Sequence, residues 1–166
     1  KKIQQLRLTV NPFYAQIQEA KELSQNGDND RAWAILRRLA VDSHLPKEAH
    51  ESYGWTIYRH LRDHISTLNS VEVRSLLRDY INLKNERPSN LHSQILNFAL
   101  NYSKQDNKFK LVSFLRLWGP DNLRDSDFDD SHGNDGKLIP SLMSRIARVV
   151  VNYPINEVQE FVELLP

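Results

Sequence analysis

Histidine and aspartate supply most of the reactive chemistry in this sequence, and they gather in two places. The first is "HLRDH", His60 to His64, where two imidazoles stand four residues apart. On a helix that spacing sets both rings on one face, and His-x-x-acid-His differs from the inverted zinc-protease motif in carrying Asp63 where glutamate is required. Aspartate is one methylene shorter, and no third ligand is evident nearby in the sequence. The pair therefore reads as the polar edge of a helix whose other stripe is Tyr58 and Leu61, with no metal expected. The second place is "DSDFDDSHGNDG", Asp125 to Gly136, which packs five acids and two glycines into twelve residues.

Asp125, Asp127 and Asp129 match the first three ligands of a calcium loop. Its sixth position, however, is Asp130 where the sharp turn needs glycine, and its twelfth is Gly136 where a bidentate glutamate must close the shell. An EF-hand is excluded. An irregular Mg²⁺ or Ca²⁺ site on Asp127, Asp129 and Asp130 stays open, but nothing supplies its remaining ligands. The favoured reading is a loop anchored by Trp118, Leu123 and Phe128 whose aspartates stay wet, with Asp127 and Asp129 available to a partner.

A third constellation is aromatic. Trp33, Tyr53, Trp55 and Tyr58 interleave with Arg31, Arg37, Arg38, Arg59 and Arg62, a mixture found where single-stranded nucleic acid is stacked. Core packing explains most of it more cheaply, which leaves the exposed member of the Tyr53 and Trp55 pair as the binding candidate. The sequence has no Gly-rich phosphate loop, no Gly-x-Ser-x-Gly elbow and no carboxylates paired by spacing for acid–base work. No catalytic residue and no cofactor is assigned, and the expectation is that the protein is not an enzyme.

The elements that must position these residues are helical. Phe13, Ile17, Ala20 and Leu23 recur at three and four residues, as do Trp33, Leu36 and Ala40, and the pattern continues through Gly54, Ile57 and Leu61. Gly27, Pro46, Asn69 with Glu72, Pro88, Gly119-Pro120, Pro140-Ser141 and Pro154 punctuate it as helix stops and starts, and Asp28 to Asp30 read as a fresh cap. The result is about eight helices in four antiparallel hairpins: 12–25 with 29–43, 47–66 with 70–84, 88–104 with 107–118, and 141–152 with 155–165. Residues 1–11 read as a linker or frayed segment, with Gln5 to Val10 as the one extended candidate. Residues 12–166 read as a single helical repeat domain interrupted by an acidic loop at 119–140.

Composition bounds the rest. At 166 residues the chain buries a core without external staples, and with no cysteine it has no disulfide, thiolate metal site or thiol nucleophile. The longest apolar run is too short to cross a membrane, and no signal segment opens the chain, so a cytoplasmic protein is expected. A chain that opens on Lys1 and stops at Pro166 directly after "NEVQEFVELL" reads as part of something longer. Net charge is +1, although residues 121–136 hold six Asp against one Arg. The basic excess elsewhere is spread over many residues, unlike a nucleic-acid footprint.

Helical hairpins that start about every 35 to 40 residues are the mark of stacked repeats, since one hairpin cannot bury both of its faces. "AKELSQNGDNDRAWAILRRLA" resembles a tetratricopeptide repeat: Ala20 and Ala32 take the small positions, Leu23 follows Ala20, a Gly-Asp turn intervenes, and Leu36 and Leu39 follow Ala32. "SYGWTIYRHL" repeats the theme with Gly54 and Ile57. Gln16 and Glu19 depart from the pattern, Pro46 falls about two residues late, and the later hairpins keep the period without the motif. The block from Trp118-Gly119 through Asn122-Leu123-Arg124 and Asp127-Phe128 to Ser141-Leu142 resembles one in large bacterial conflict (defence-island) proteins, where a helical region precedes a cold-shock or S1-like module.

The resemblance implies an all-α, TPR-like α-solenoid acting as a protein-interaction scaffold, with a groove lined by the first helix of each pair and a protein or peptide as partner. Trp55, Arg59, His60 and Arg62 are the residues expected to face that partner, beside Asp127 and Asp129 of the acidic loop. The alternative is a nucleic-acid accessory domain using Arg31 to Arg38 and Arg74 to Arg78.

Overall fold

The computed structural model describes residues 12–83, 89–106, 108–123 and 125–165. The extended candidate Gln5 to Val10 lies outside them. The fold is all-α, with eight helices of two turns or more among the described residues: α1 (Tyr14–Gln25), α2 (Asn29–Val41), α3 (His50–Asp63), α4 (Ser70–Asn82), α5 (Ser89–Gln105), α6 (Leu111–Trp118), α8 (Leu142–Val150) and α9 (Ile155–Val162). A single turn, α7 (Asp125–Phe128), precedes a small antiparallel pair, β1 (Ser131–His132) and β2 (Leu138–Ile139). No helix among the described residues is long and apolar enough to cross a membrane.

The stops and starts act through backbone bonding. Gly27 adopts φ +86°, which lets the Asp28 amide reach back to the Leu23 carbonyl at 2.9 Å and end α1. Asn69 and Glu72 form a capping box: the Asn69 Oδ1 accepts from the amides of Val71 and Glu72 at 2.9 and 3.0 Å, while Glu72 accepts from the Asn69 amide at 2.8 Å. Other boundaries shift by a few residues for visible reasons. The segment after Pro46 begins as a 3₁₀ turn over Lys47–Ala49, so α3 starts at His50 and not at 47. α6 starts at Leu111 and not at 107, because Asp106 holds the Lys108 amide with its carboxylate at 2.8 Å and the Phe109 amide with its carbonyl at 3.0 Å, closing a turn first.

Contacts divide the described residues into two compact units, those of 12–68, 82–83 and 89–91, and those of 69–81 and 92–165. In the first, α1 packs on α2 and α2 on α3. Ala20 and Ala32 are fully buried, as their small side chains allow close helix approach, and Ile17, Leu39 and Ala49 form a cluster against which Phe13, Ile35 and Leu45 pack.

In the second unit the core runs through Leu77, Ile95, Leu96, Leu115, Trp118, Ile146 and Phe161, all buried. Trp118 is its aromatic hub. The indole stacks on Tyr80 with centroids 5.6 Å apart and meets Phe114 at the same separation. α9 packs against α6 and α8.

Residues 119–140, expected as a loop, carry more structure than that. Pro120–Asn122 form a 3₁₀ turn, α7 follows, and the β1–β2 ladder pairs Ser131 with Ile139 and His132 with Leu138. Trp118 and Asn122 hold the entrance, the Asn122 amide side chain donating to the Trp118 carbonyl at 2.7 Å. Asp130 holds the exit: its Oδ1 accepts from the Ser141 amide at 2.7 Å and the Ser144 hydroxyl at 2.9 Å, while Ser141 caps α8.

Candidate binding groove and a histidine–aspartate cluster

In the first unit, α1 and α3 flank a groove of about 250 Å³. Leu36 of α2 and Ala20 contribute apolar surface, and the polar lining includes Lys21, Ser24 and Ser52. Trp55 and Arg59, one turn apart on α3, complete it. The Arg59 guanidinium lies 5.7 Å from the Trp55 ring centroid and donates to the Ser24 hydroxyl. Tyr58 meets Trp55 edge-on at 6.2 Å, which fixes the indole further. Of the aromatic pair weighed above, Tyr53 is 2% exposed and belongs to the core, so Trp55 is the one presented. The groove lining carries two cations and no carboxylate. It is an electropositive slot with one aromatic wall, suited to an acidic, partly apolar segment.

The other α3 residues singled out in the sequence do not line this groove. Arg62 is exposed and its Nε donates to Asp63 at 2.7 Å. That bond holds the Asp63 carboxyl below its ordinary value and raises the guanidinium. Asp63, the residue at the would-be catalytic position, is thus turned to Arg62 and to Asn29, 3.4 Å away. His60 faces α2, where its ring lies flat on Trp33 with centroids 3.9 Å apart and planes 10° from parallel.

The third group missing from the local sequence is Asp30. From the first turn of α2 its Oδ1 meets His60 Nδ1 at 3.0 Å and His64 Nε2 at 2.8 Å, and its Oδ2 meets His64 Nε2 at 2.9 Å. The two hydrogen bonds, His60 first and His64 second, hold the Asp30 carboxyl below its ordinary value. This corrects the reading of Asp30 as part of a helix cap: its carboxylate is drawn across to the imidazoles, and Asp28, the N-cap, makes no side-chain cap bond either. Helix polarity favours the arrangement, since Asp30 sits at the positive end of α2 and the two histidines at the negative end of α3.

The acidic segment is reversed in one respect. Asp127 is not wet: its side chain is 4% exposed, its Oδ2 is 3.4 Å from Nε2 of His92, itself 3% exposed, and His92 meets Trp118 edge-on at 4.7 Å. A carboxylate buried this far needs a polar partner, and α5 supplies one. Asp129 remains exposed, beside Asp125 and Phe128 in a shallow cleft that Glu163 and Leu164 of the α9 end also line. Asp130 is committed to the start of α8. Of the three carboxylates considered for an irregular Mg²⁺ or Ca²⁺ site, Asp127 is thus paired with His92 and Asp130 with the start of α8, while Asp129 stays in solvent. Among the described residues, Asp30, His60 and His64 form a cluster of three ligand-type side chains.

Comparison with protein-family models, with curated proteins and with solved structures finds no match to this chain.

Proposed function

We propose that this chain is a non-catalytic protein-interaction scaffold of stacked, tetratricopeptide-like helical hairpins, and that it grips an acidic, extended peptide in the groove between α1 and α3. The observation that carries this reading is the lining itself. Lys21 and Arg59 present positive charge unopposed by any lining acid, Trp55 offers a fixed aromatic face, and Ser24 and Ser52 supply hydrogen-bonding groups. Small residues at the repeat positions, Ala20 and Ala32 fully buried and Gly54 buried beside Ile57, support the repeat resemblance. On the resemblance of the Trp118 to Leu142 block, the scaffold belongs to a larger cytoplasmic bacterial protein of the defence type.

A peptide array probed with the intact chain tests this. The expected set of binders is rich in Asp and Glu next to an apolar residue, and Trp55→Ala and Arg59→Gln should each weaken the best binder by about tenfold or more, about 1.4 kcal/mol. No enrichment, or enrichment untouched by either substitution, removes the groove assignment. The nucleic-acid alternative makes a different forecast: single-stranded oligonucleotides would bind in place of acidic peptides, with Arg31 to Arg38 and Arg74 to Arg78, not Trp55, carrying the loss on substitution.

A further inference from the structure

We propose that Asp30, His60 and His64 form a binding site for a single zinc-class divalent transition-metal ion. All three ligand atoms lie within 4.8 Å of one another. The carboxylate oxygen stands 3.0 Å from one ring nitrogen and 2.8 Å from the other. In a tetrahedral zinc site with bonds of about 2.0 to 2.1 Å, ligand atoms are spaced by about 3.3 Å, so the two oxygen–nitrogen spacings open by a few tenths of an ångström, and the two ring nitrogens, within 4.8 Å of one another, come to the same spacing by rotation of the His64 side chain. Two imidazoles and one carboxylate select Zn²⁺ and its neighbours Co²⁺ and Ni²⁺ over Mg²⁺ and Ca²⁺, which want six or more oxygens.

The site has the other attributes a metal needs. His60 is held flat against Trp33 and its side chain is 14% exposed, which fixes the ring and limits the motion a ligand must lose. His64 is 35% and Asp30 56% exposed, so an ion has a path from solvent. A carboxylate carries no proton, so the nitrogen facing it carries one in each ring: Nδ1 of His60 and Nε2 of His64. On metal binding the proton on each facing nitrogen leaves through solvent, each ring keeps one proton on its other nitrogen, and the freed lone pair turns to the ion. Three protein ligands leave the fourth tetrahedral position to water.

The ligands come from two helices, Asp30 from α2, and His60 from α3 with His64 at its C-cap, so the ion ties those helices together and stabilises the fold by mass action. This distinguishes the site from a bare pair of histidines one turn apart, which would bind without help from α2. The test is a Co²⁺ titration of the intact chain followed by visible d–d absorption, with Zn²⁺ competition, on the wild type and on Asp30→Asn, His60→Gln and His64→Gln. Circular dichroism checks that each variant folds. The expected result is one equivalent of Co²⁺ displaced by Zn²⁺, a rise in thermal midpoint on adding Zn²⁺, and a loss of affinity of about tenfold or more in each variant. Absence of stoichiometric binding to the wild type overturns the proposal, and so does an Asp30→Asn protein that binds Co²⁺ as tightly. Should His60→Gln or His64→Gln fail to fold, Asp30→Asn, at an exposed position, still decides the matter.

Discussion

Among the described residues histidine is seen paired with aspartate in each unit, and the two encounters differ in almost every physical respect. At the α2–α3 end, one carboxylate serves two imidazoles in the open, with Asp30 more than half exposed. In the second unit, one carboxylate meets one imidazole under Trp118, both side chains below 5% exposure. Water screens the first set, so its members are held by geometry and helix polarity, and little stability depends on them. The second has lost its water, so each partner has become a condition of the other's burial. A surface cluster with spare coordination capacity suits a ligand, whereas a sealed pair suits a core.

Mutations can break this contrast at either end. The largest effect is expected at the hub: Trp118→Ala removes the ring that covers His92 and stacks on Tyr80, and should cost about 3–5 kcal/mol by urea unfolding. Next, Asp127→Ala should cost about 2–3 kcal/mol because it strips buried His92 of its carboxylate, while Asp30→Ala in metal-free buffer should cost under about 1 kcal/mol. Equal costs for the two aspartates would end the distinction between them.

The smallest effect concerns a third carboxylate, exposed yet ordered. The backbone amide of Ser141, then the hydroxyl of Ser144, hold the Asp130 carboxyl below its ordinary value. The folded state therefore binds that proton less tightly than the unfolded chain, so the contribution is in place above about pH 4 and fades as pH falls through the lower folded value. The protection of the Ser141 amide against hydrogen exchange, taken relative to its intrinsic rate at each pH, should fall over that window, and Asp130→Asn should abolish that fall. A protection factor that is flat with pH in the wild type would show the cap to be inessential.

Much of the helical fold was legible because it is encoded locally. Gly27, the Asn69 and Glu72 pair, Pro154 before α9 and the three-and-four spacing of apolar residues each act within a turn or two of their own position, and the helices begin and end within a few residues of them. The sites were less legible because they join residues far apart in the chain. Asp30 lies 30 positions from His60, and Asp127 lies 35 from His92. Neither spacing has a periodicity to betray it. Asp30 stood beside a turn and read as a cap, and Asp127 stood among acids and read as solvated. Trp55 and Arg59, by contrast, are neighbours on one helix face, and sequence alone placed them together.

The β1–β2 ladder carries one more lesson. Leu138 and Ile139 are about half exposed there, on a ladder of only two strands, a combination that in longer strands invites other chains to dock and grow fibres. With only two residues per strand, an incoming chain would gain no more than a bond or two there. Brevity here acts as a safeguard against aggregation, and lengthening this hairpin by apolar insertions is the engineering change to avoid.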